Sequence, residues 1–233
     1  EEMQKEESTS RMEETAIAQP ANFVIQIGLA KLWESWGVTP DLVVGHSVGE
    51  VASAYLSGAL SLEDSVLVSC QRSRLQQTCA DINGTMLAVG LPESEAKVLI
   101  AEVKEVEIAA INSASAVTLA GDKNALDEIA QICEEKEVFN RFLKVNIAYH
   151  SSHMDRINEE LIGELKSLKP KATHLPLYST VTGTIIDGEK LKADYWWDNV
   201  RCPVRFAASI QDILKNEDCH FLEVGPHPVL KTS

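Results

Sequence analysis

Hydrophobic and polar positions divide the chain into stretches of different period. Residues 1–14 are polar and acidic, with Met3 and Met12 their only large apolar side chains, and read as a loop or solvated helix. From Gln19 and Pro20 the pattern changes. Phe23, Ile27, Ala30 and Trp33 lie along one helical face, and Val24, Ile25, Leu29, Leu32 and Trp36 widen it. A helix apolar on most sides should be buried, with Pro20 at its first position and Gly37 as its stop. Asp41-Leu42-Val43-Val44, between Pro40 and Gly45, suits a strand covered on both faces of a parallel sheet. A helix follows from Val48 to about Leu56. After Gly58, Ser61 with Asp64 three residues on marks an N-cap for a helix through Gln76.

Residues 85–146 alternate more regularly. Strands are predicted at Met86 to Gly90, Val106 to Asn112, Ala116 to Ala120 and Phe139 to Val145, with helices at Glu93 to Glu102 and Lys123 to Lys136. The order β-α-β-β-α-β is that of a ferredoxin-like unit, here a small subdomain inserted in a larger α/β one made of residues 1–84 and 147–233. Beyond it the pattern predicts a helix from about Met154 to Leu168 and a strand at Leu175 to Ser179, with a turn near Asp187-Gly188. A helix at about Arg205 to Lys215 and a strand at His220 to Val224 complete the reading.

Composition narrows the classes. A length of 233 residues suits one large domain or a domain with an insert, and 45% hydrophobic with 24% charged residues excludes a wholly disordered chain. The net charge of -14 repels phosphate backbones, which argues against nucleic acid as a partner. No apolar run approaches the ~20 residues that span a bilayer, and no signal-peptide profile opens the chain, so a soluble cytoplasmic protein with no membrane partner is expected. Cys70, Cys79, Cys133, Cys202 and Cys219 are odd in number and form no C-x-x-C pair; they read as reduced thiols and predict no metal site. Opening on Glu1 and stopping at Ser233 within a strand-turn-helix pattern, the sequence reads as a segment of a longer polypeptide.

Gly45-His46-Ser47-Val48-Gly49 fits G-x-S-x-G between a predicted buried strand and a helix, the context in which a serine is held exposed on a sharp turn. The predicted fold class is therefore α/β, an α/β-hydrolase-like parallel sheet core with the small subdomain set into it. A serine hydroxyl needs a base, usually histidine. His46 lies inside the turn, and His174 and His220 read as structural. His150 lies where the chain leaves the small subdomain, and His153 competes with it.

Further motifs occur in order: Ala18-Gln19-Pro20, the G-H-S-V-G-E run ending at Glu50, Gln71-Arg72-Ser73-Arg74, Ala148-Tyr149-His150-Ser151, Tyr195-Trp196-Trp197 through Asn199 to Pro203-Val204, and Glu223-Val224-Gly225-Pro226-His227-Pro228. Together they resemble the acyltransferase domain of polyketide synthases, related to the malonyl transferases of fatty acid synthesis, over nearly the whole chain. The resemblance implies ping-pong transfer of an acyl group from malonyl-coenzyme A, through an acyl-serine, to the phosphopantetheine thiol of an acyl carrier protein. No permanently bound cofactor is implied. The expected partners are that carrier and neighbouring synthase domains, a ketosynthase among them, in the same polypeptide.

By the same resemblance Ser47 matches the nucleophile, His150 the base, and Asn199 the carbonyl-bearing position that orients the histidine. Arg72 matches the arginine that grips the malonyl carboxylate with two parallel hydrogen bonds, which lysine cannot reproduce. Arg74 is then a solvated neighbour. The backbone N–H of Val48 is the expected oxyanion donor; a second donor belongs to a Gly-Gln-Gly loop that this sequence lacks. Tyr149, bulky before the histidine, and Val48 lean toward malonyl over methylmalonyl, while Gln19 and His46 join the substrate-binding wall. His227 reads as packing. Two other readings share parts of the pattern, a serine thioesterase or hydrolase and an inactive domain that only docks its neighbours.

Overall fold

The computed structural model describes residues 2–215 and 219–230, so the terminal Glu1 and Ser233 lie outside the described residues. Two 3₁₀ turns, Glu2–Gln4 and Glu7–Thr9, precede α1 (Thr15–Ser35). Next come β1 (Val43–Val44), α2 (Gly49–Leu56) and α3 (Leu62–Gln77), then β2 (Gly84–Val89), α4 (Glu93–Ile100), β3 (Val106–Ser113), β4 (Ala116–Asp122), α5 (Lys123–Glu135) and β5 (Asn140–Phe142). The chain continues through α6 (Asn158–Leu165), β6 (Leu177–Ser179), β7 (Thr184–Ile186), α7 (Ala193–Arg201) and α8 (Phe206–Leu214).

α1 differs from expectation twice. It begins at Thr15, so Pro20 lies within it, where the missing N–H leaves a first-turn carbonyl without a helical partner. Nor is it buried all round: of its residues only Thr15 and Phe23 are buried, while Val24 is 56% and the adjoining Trp36 65% exposed. One side packs on α3 and α2, and the other meets solvent. A broad apolar face records what a helix can bury, not how many neighbours it has.

One sheet, of three strands in the order β1-β6-β7, is mixed and not wholly parallel. β1 pairs with β6 in parallel, but β7 runs back antiparallel to β6, because Gly183 adopts φ +80 and closes a turn through its N–H to the Ser179 carbonyl at 2.9 Å. Neither β7 nor α7 is foreseen by the sequence reading. Yet Tyr195, Trp196, Asn199 and Val200, the buried positions of α7, have helical spacing. Trp196 is fully buried, its indole N–H donating to the Leu191 carbonyl at 3.1 Å. The predicted helix from Met154 divides into a 3₁₀ turn, Ser152–Ile157, and α6. Residues 220–224 are irregular and not a strand; Phe221 and Leu222 are exposed, and no strand among the described residues pairs with them. The N-cap at Ser61 forms as read, its Oγ accepting from Asp64 N–H at 3.0 Å.

The four-stranded sheet has the order β3-β4-β2-β5 with every pair antiparallel. Its faces follow strand alternation. Leu87, Val89, Val117 and Leu119 pack on Leu126, Ile129 and Cys133 of α5 and on Ala96 of α4. Met86 and Ala120, on the other face, pack against Ala148 and Tyr149, just before His150. β3 is also an edge: Val204 N–H donates to the Ala109 carbonyl and Ile111 N–H to the Val204 carbonyl, each at 2.8 Å, so the chain after α7 is bound to the four-stranded sheet. Among the described residues no helix is long and apolar enough to cross a membrane.

Candidate active site

Ser47 sits between β1 and α2 with φ +53, a left-handed conformation that costs a non-glycine residue about 1–3 kcal/mol and is kept only where surrounding structure enforces it. Gly45 is part of that enforcement. A Cβ there would stand 2.3 Å from Glu50 N and 2.4 Å from the Gly49 carbonyl carbon, so the turn folds back on a position that only glycine can fill. Gly49 differs: the nearest atom to its Cβ position is Gln26 Nε2 at 3.8 Å, an ordinary contact. Of the two motif glycines, close approach thus requires only Gly45. The N–H of Val48 makes no hydrogen bond within the described residues and stands at the start of α2, where helix dipole and free donor both favour negative charge.

His150 also has a left-handed backbone, φ +58, and its Nε2 lies 2.7 Å from Ser47 Oγ. Its Nδ1 lies 3.0 Å from the main-chain carbonyl of Cys202. A carbonyl can only accept, so Nδ1 carries the proton and the Nε2 lone pair faces the serine. Burial, then the positive charge of Arg72 and the neighbouring His46, pull the imidazole down to about 3, against a small opposing effect of the Cys202 carbonyl. It is therefore neutral near pH 7, as a proton acceptor must be. His153 takes no part in this arrangement; its Nδ1 has no hydrogen-bond partner among the described residues.

The orienting group corrects the expectation for Asn199. That side chain is buried in α7, but its Oδ1 accepts from Arg72 Nε at 3.0 Å and its Nδ2 donates to the Ser47 carbonyl at 3.2 Å. The carbonyl that meets the histidine comes three residues later, from Cys202. Asn199 holds the arginine and the serine turn instead.

Arg72, on α3, is 1% exposed and held at every nitrogen. Nη1 donates to Gln19 Oε1 at 2.7 Å and Gln76 Oε1 at 2.9 Å, Nε to Asn199, and Nη2 to Ser47 Oγ at 3.1 Å. Gln19 Nε2 in turn donates to Gln76 Oε1 at 3.0 Å. Among the described residues no carboxylate forms an ion pair with this guanidinium, and burial pulls it down to about 10, still a cation at neutral pH. A buried cation without a counter-ion is costly unless a ligand supplies one. Arg74, by contrast, lies outside, paired with Glu160 at 3.0 Å.

Tyr149 is fixed by a 2.5 Å hydrogen bond between its hydroxyl and Thr15 Oγ1. His46 Nε2 is 2.9 Å from Asn112 Oδ1 of β3, and its ring lies against Phe206 at 5.3 Å between centroids. Glu50, buried at the start of α2, accepts from Thr180 N–H at 2.6 Å, from Thr180 Oγ1 at 2.5 Å and from the Tyr195 hydroxyl; burial pushes its carboxyl up. Sequence reasoning missed Gln76, Thr15, Asn112 and Cys202. Gln76, one helical turn after Arg72, was available from helix spacing. Cys202 contributes a main-chain atom, which no residue type announces.

The acyl transferase domain family matches residues 2–233. The chain is 37% identical over 220 residues to the PikAII component of the pikromycin polyketide synthase of Streptomyces venezuelae, covering 94% of this chain and 6% of that protein. It is 35% identical over 243 residues to highly-reducing polyketide synthase 1 of Aureobasidium melanogenum, covering 99% and 11%. Among solved structures, the acyltransferase domain from module 8 of the salinomycin polyketide synthase superposes with a TM-score of 0.93 at 33% identity, covering 97% of this chain and 53% of that one. The malonyl CoA-acyl carrier protein transacylase from Clostridium perfringens, at 24% identity and a TM-score of 0.87, shares the fold.

Proposed function

The chain belongs to the acyl transferase domain family and is a transferase, and we propose that it moves a malonyl group from coenzyme A through an acyl-Ser47 intermediate to the phosphopantetheine thiol of an acyl carrier protein. In the first half-reaction Ser47 Oγ attacks the thioester carbonyl while its proton passes to His150 Nε2. The oxygen charge that develops is met by the Val48 N–H. As the carbon–sulfur bond breaks, the same proton goes to the departing coenzyme A thiolate. The second half-reaction runs this in reverse order, with the carrier thiol giving its proton to His150 and displacing Ser47.

One observation carries the reading: the buried Arg72 guanidinium, with no carboxylate ion-paired to it among the described residues, donates to Ser47 Oγ at 3.1 Å. Malonyl holds its carboxylate one methylene from the carbonyl that serine attacks, a separation suited to a cation adjacent to the nucleophile. A neutral acyl group would leave the cation uncompensated. Tyr149, tied by Thr15, supports malonyl over methylmalonyl, since a held ring cannot yield to an extra methyl; one methyl is worth only ~10 to 200-fold in such a pocket.

Residues 1–84 and 147–233 are read as an α/β-hydrolase-like core and 85–146 as its ferredoxin-like subdomain, for which the antiparallel order β5-β2-β4-β3 is the support. The chain spans 6% and 11% of the two synthases described above, which supports a place beside other domains, a ketosynthase among them, in one polypeptide. Carriers of this family are acidic by the resemblance, and a domain of charge -14 gains no global attraction to them. Tethering, which raises effective concentration to about millimolar, supplies the encounter instead.

The test is incubation with labelled malonyl-coenzyme A, with and without Ser47→Ala. Label retained on Ser47 until a carrier thiol is added is expected; rapid release of free malonate instead would make the protein a thioesterase.

A further inference from the structure

We propose that Glu107, on an edge strand of the four-stranded sheet, is a positioning residue that clamps together the two chain segments carrying His150 and its orienting carbonyl. The proposal rests on reading Ser47 and His150 as nucleophile and base, but not on which acyl group is carried.

The geometry is direct. Glu107 Oε1 accepts from Ser152 N–H at 2.7 Å, two residues beyond His150. Its Oε2 accepts from Arg201 Nη1 at 2.8 Å and its Oε1 from Arg201 Nη2 at 3.3 Å, a two-point contact one residue before Cys202. Arg201 Nε donates at 2.7 Å to Asp155, which lies on the His150 side again. Glu107 therefore ties both the segment 150–155 and the segment 201–202 to β3, and the Arg201–Asp155 pair joins those two segments directly. Burial alone would raise the Glu107 carboxyl, but these donors outweigh it and hold it below the usual carboxylate range.

Such a clamp has work to do. The Nδ1 contact between His150 and Cys202 is formed between segments far apart in sequence, and His150 holds a left-handed backbone that nearby restraints must maintain. On its other side Cys202 is held by the bridge from Val204 to Ala109 and Ile111. β3 thus grips the chain on both sides of the orienting carbonyl, through Glu107 before it and main-chain bonds after it. Asn112, further along β3, reaches His46 beside the nucleophile. The four-stranded sheet is in this view a jig for the serine–histidine pair as well as a wall of the site.

The experiment uses the intact chain and a fluorophosphonate, which labels a serine in proportion to its activation by the base and does not need malonyl or coenzyme A. Glu107→Ala, shown folded by circular dichroism, is expected to label Ser47 about 10 to 100-fold more slowly, as misplacement of a catalytic group does. In acyl loading the loss should fall on kcat, with KM unchanged, because Arg72 is not touched. Arg201→Lys, which cannot keep the forked contact, is expected to slow labelling at least about threefold. Wild-type labelling by folded Glu107→Ala, or a loss carried by KM, overturns the clamp; if Glu107→Ala does not fold, wild-type labelling by Arg201→Lys overturns it. A wild-type chain that the reagent does not label overturns the nucleophile reading itself.

Discussion

Arg72 Nη2 donates to Ser47 Oγ at 3.1 Å while the hydroxyl hydrogen of that serine is directed to His150. The nucleophile is thus held between a base and a cation, and the cation is the group that an acidic substrate must engage. Binding a malonyl carboxylate draws Nη2 into a stronger charge-assisted contact beside the same atom.

Arg72→Ala is accordingly expected to reduce malonyl loading by about 10 to 100-fold, the equivalent of the ~1.5 to 3 kcal/mol of a charged hydrogen bond, while acetyl loading is kept or gained. Loading rates with both thioesters check this, and equal loss of both would remove Arg72 from substrate selection. Gln19, Gln76 and Asn199 also lose their donor, so the variant should melt earlier.

Asn199→Asp separates positioning from chemistry. A carboxylate next to Arg72 Nε would neutralise the guanidinium permanently and compete with the substrate's own anion. Malonyl KM should rise at least about tenfold, more than acetyl KM, because only malonyl loses its cation, while the lost Nδ2 donor to the Ser47 carbonyl affects both substrates alike. Equal effects on the two substrates would contradict the assignment.

Tyr149→Ser should shift preference toward methylmalonyl by about 10-fold or more, within the range one methyl can command. Thr15→Val removes only the hydroxyl contact that steadies the ring, and is expected to give a smaller shift in the same direction. Competition between the two thioesters measures both. An unchanged ratio in Tyr149→Ser would mean that the ring does not limit the pocket.

What could be read from the sequence divides by physical kind. Ser47 was legible because its turn has a local signature, and α3, α4 and α5 because helical period and caps are local too. Arg72 and His150 became legible only through motifs taken together; their partners span 127 residues in the case of Arg72 and Asn199. The role of Asn199 was misread because the histidine is oriented by a main-chain oxygen, and main-chain atoms are common to every residue. The solvent-facing side of α1, the brevity of β1 and the reversal at Gly183 depend on neighbours and on a backbone angle, which hydrophobic pattern does not encode.

The pH dependence follows from His150. Burial first, then Arg72 and His46, pull it from 6.5 to about 3, so it stays a free base as the solution is acidified. Fluorophosphonate labelling of Ser47 should therefore stay level through pH 6.5, and a half-loss there would contradict the burial. Stability has its own sign. In the unfolded chain the imidazole takes up a proton below about 6.5, which the folded chain refuses until about 3, so stability is full above 6.5 and is lost as pH falls through that window. His46, lowered mainly by burial, contributes in the same direction. Urea midpoints between pH 8 and 4 should fall, and less steeply in His150→Gln.

The two glycines of the serine turn, equivalent in the motif, should respond differently to the same substitution. At Gly45 a methyl group would lie 2.3 Å from Glu50 N and 2.5 Å from Glu50 Cα, all main-chain atoms at the start of α2 that no rotamer change can move. Relief requires shifting the helix away from the turn. That shift would pull Glu50 from Thr180 and Tyr195 and move Ser47 from His150. Gly45→Ala should thus cost several kcal/mol, in the upper range of single substitutions, and abolish labelling of Ser47. At Gly49 the same methyl meets only Gln26 Nε2, at 3.8 Å, and the helical backbone at this first position of α2 accepts alanine without strain. Gly49→Ala should keep the fold and most of the labelling rate, measured by thermal melting and fluorophosphonate reaction. If Gly49→Ala were the more damaging of the two, the second glycine would be serving a contact made only when substrate or a neighbouring segment is present.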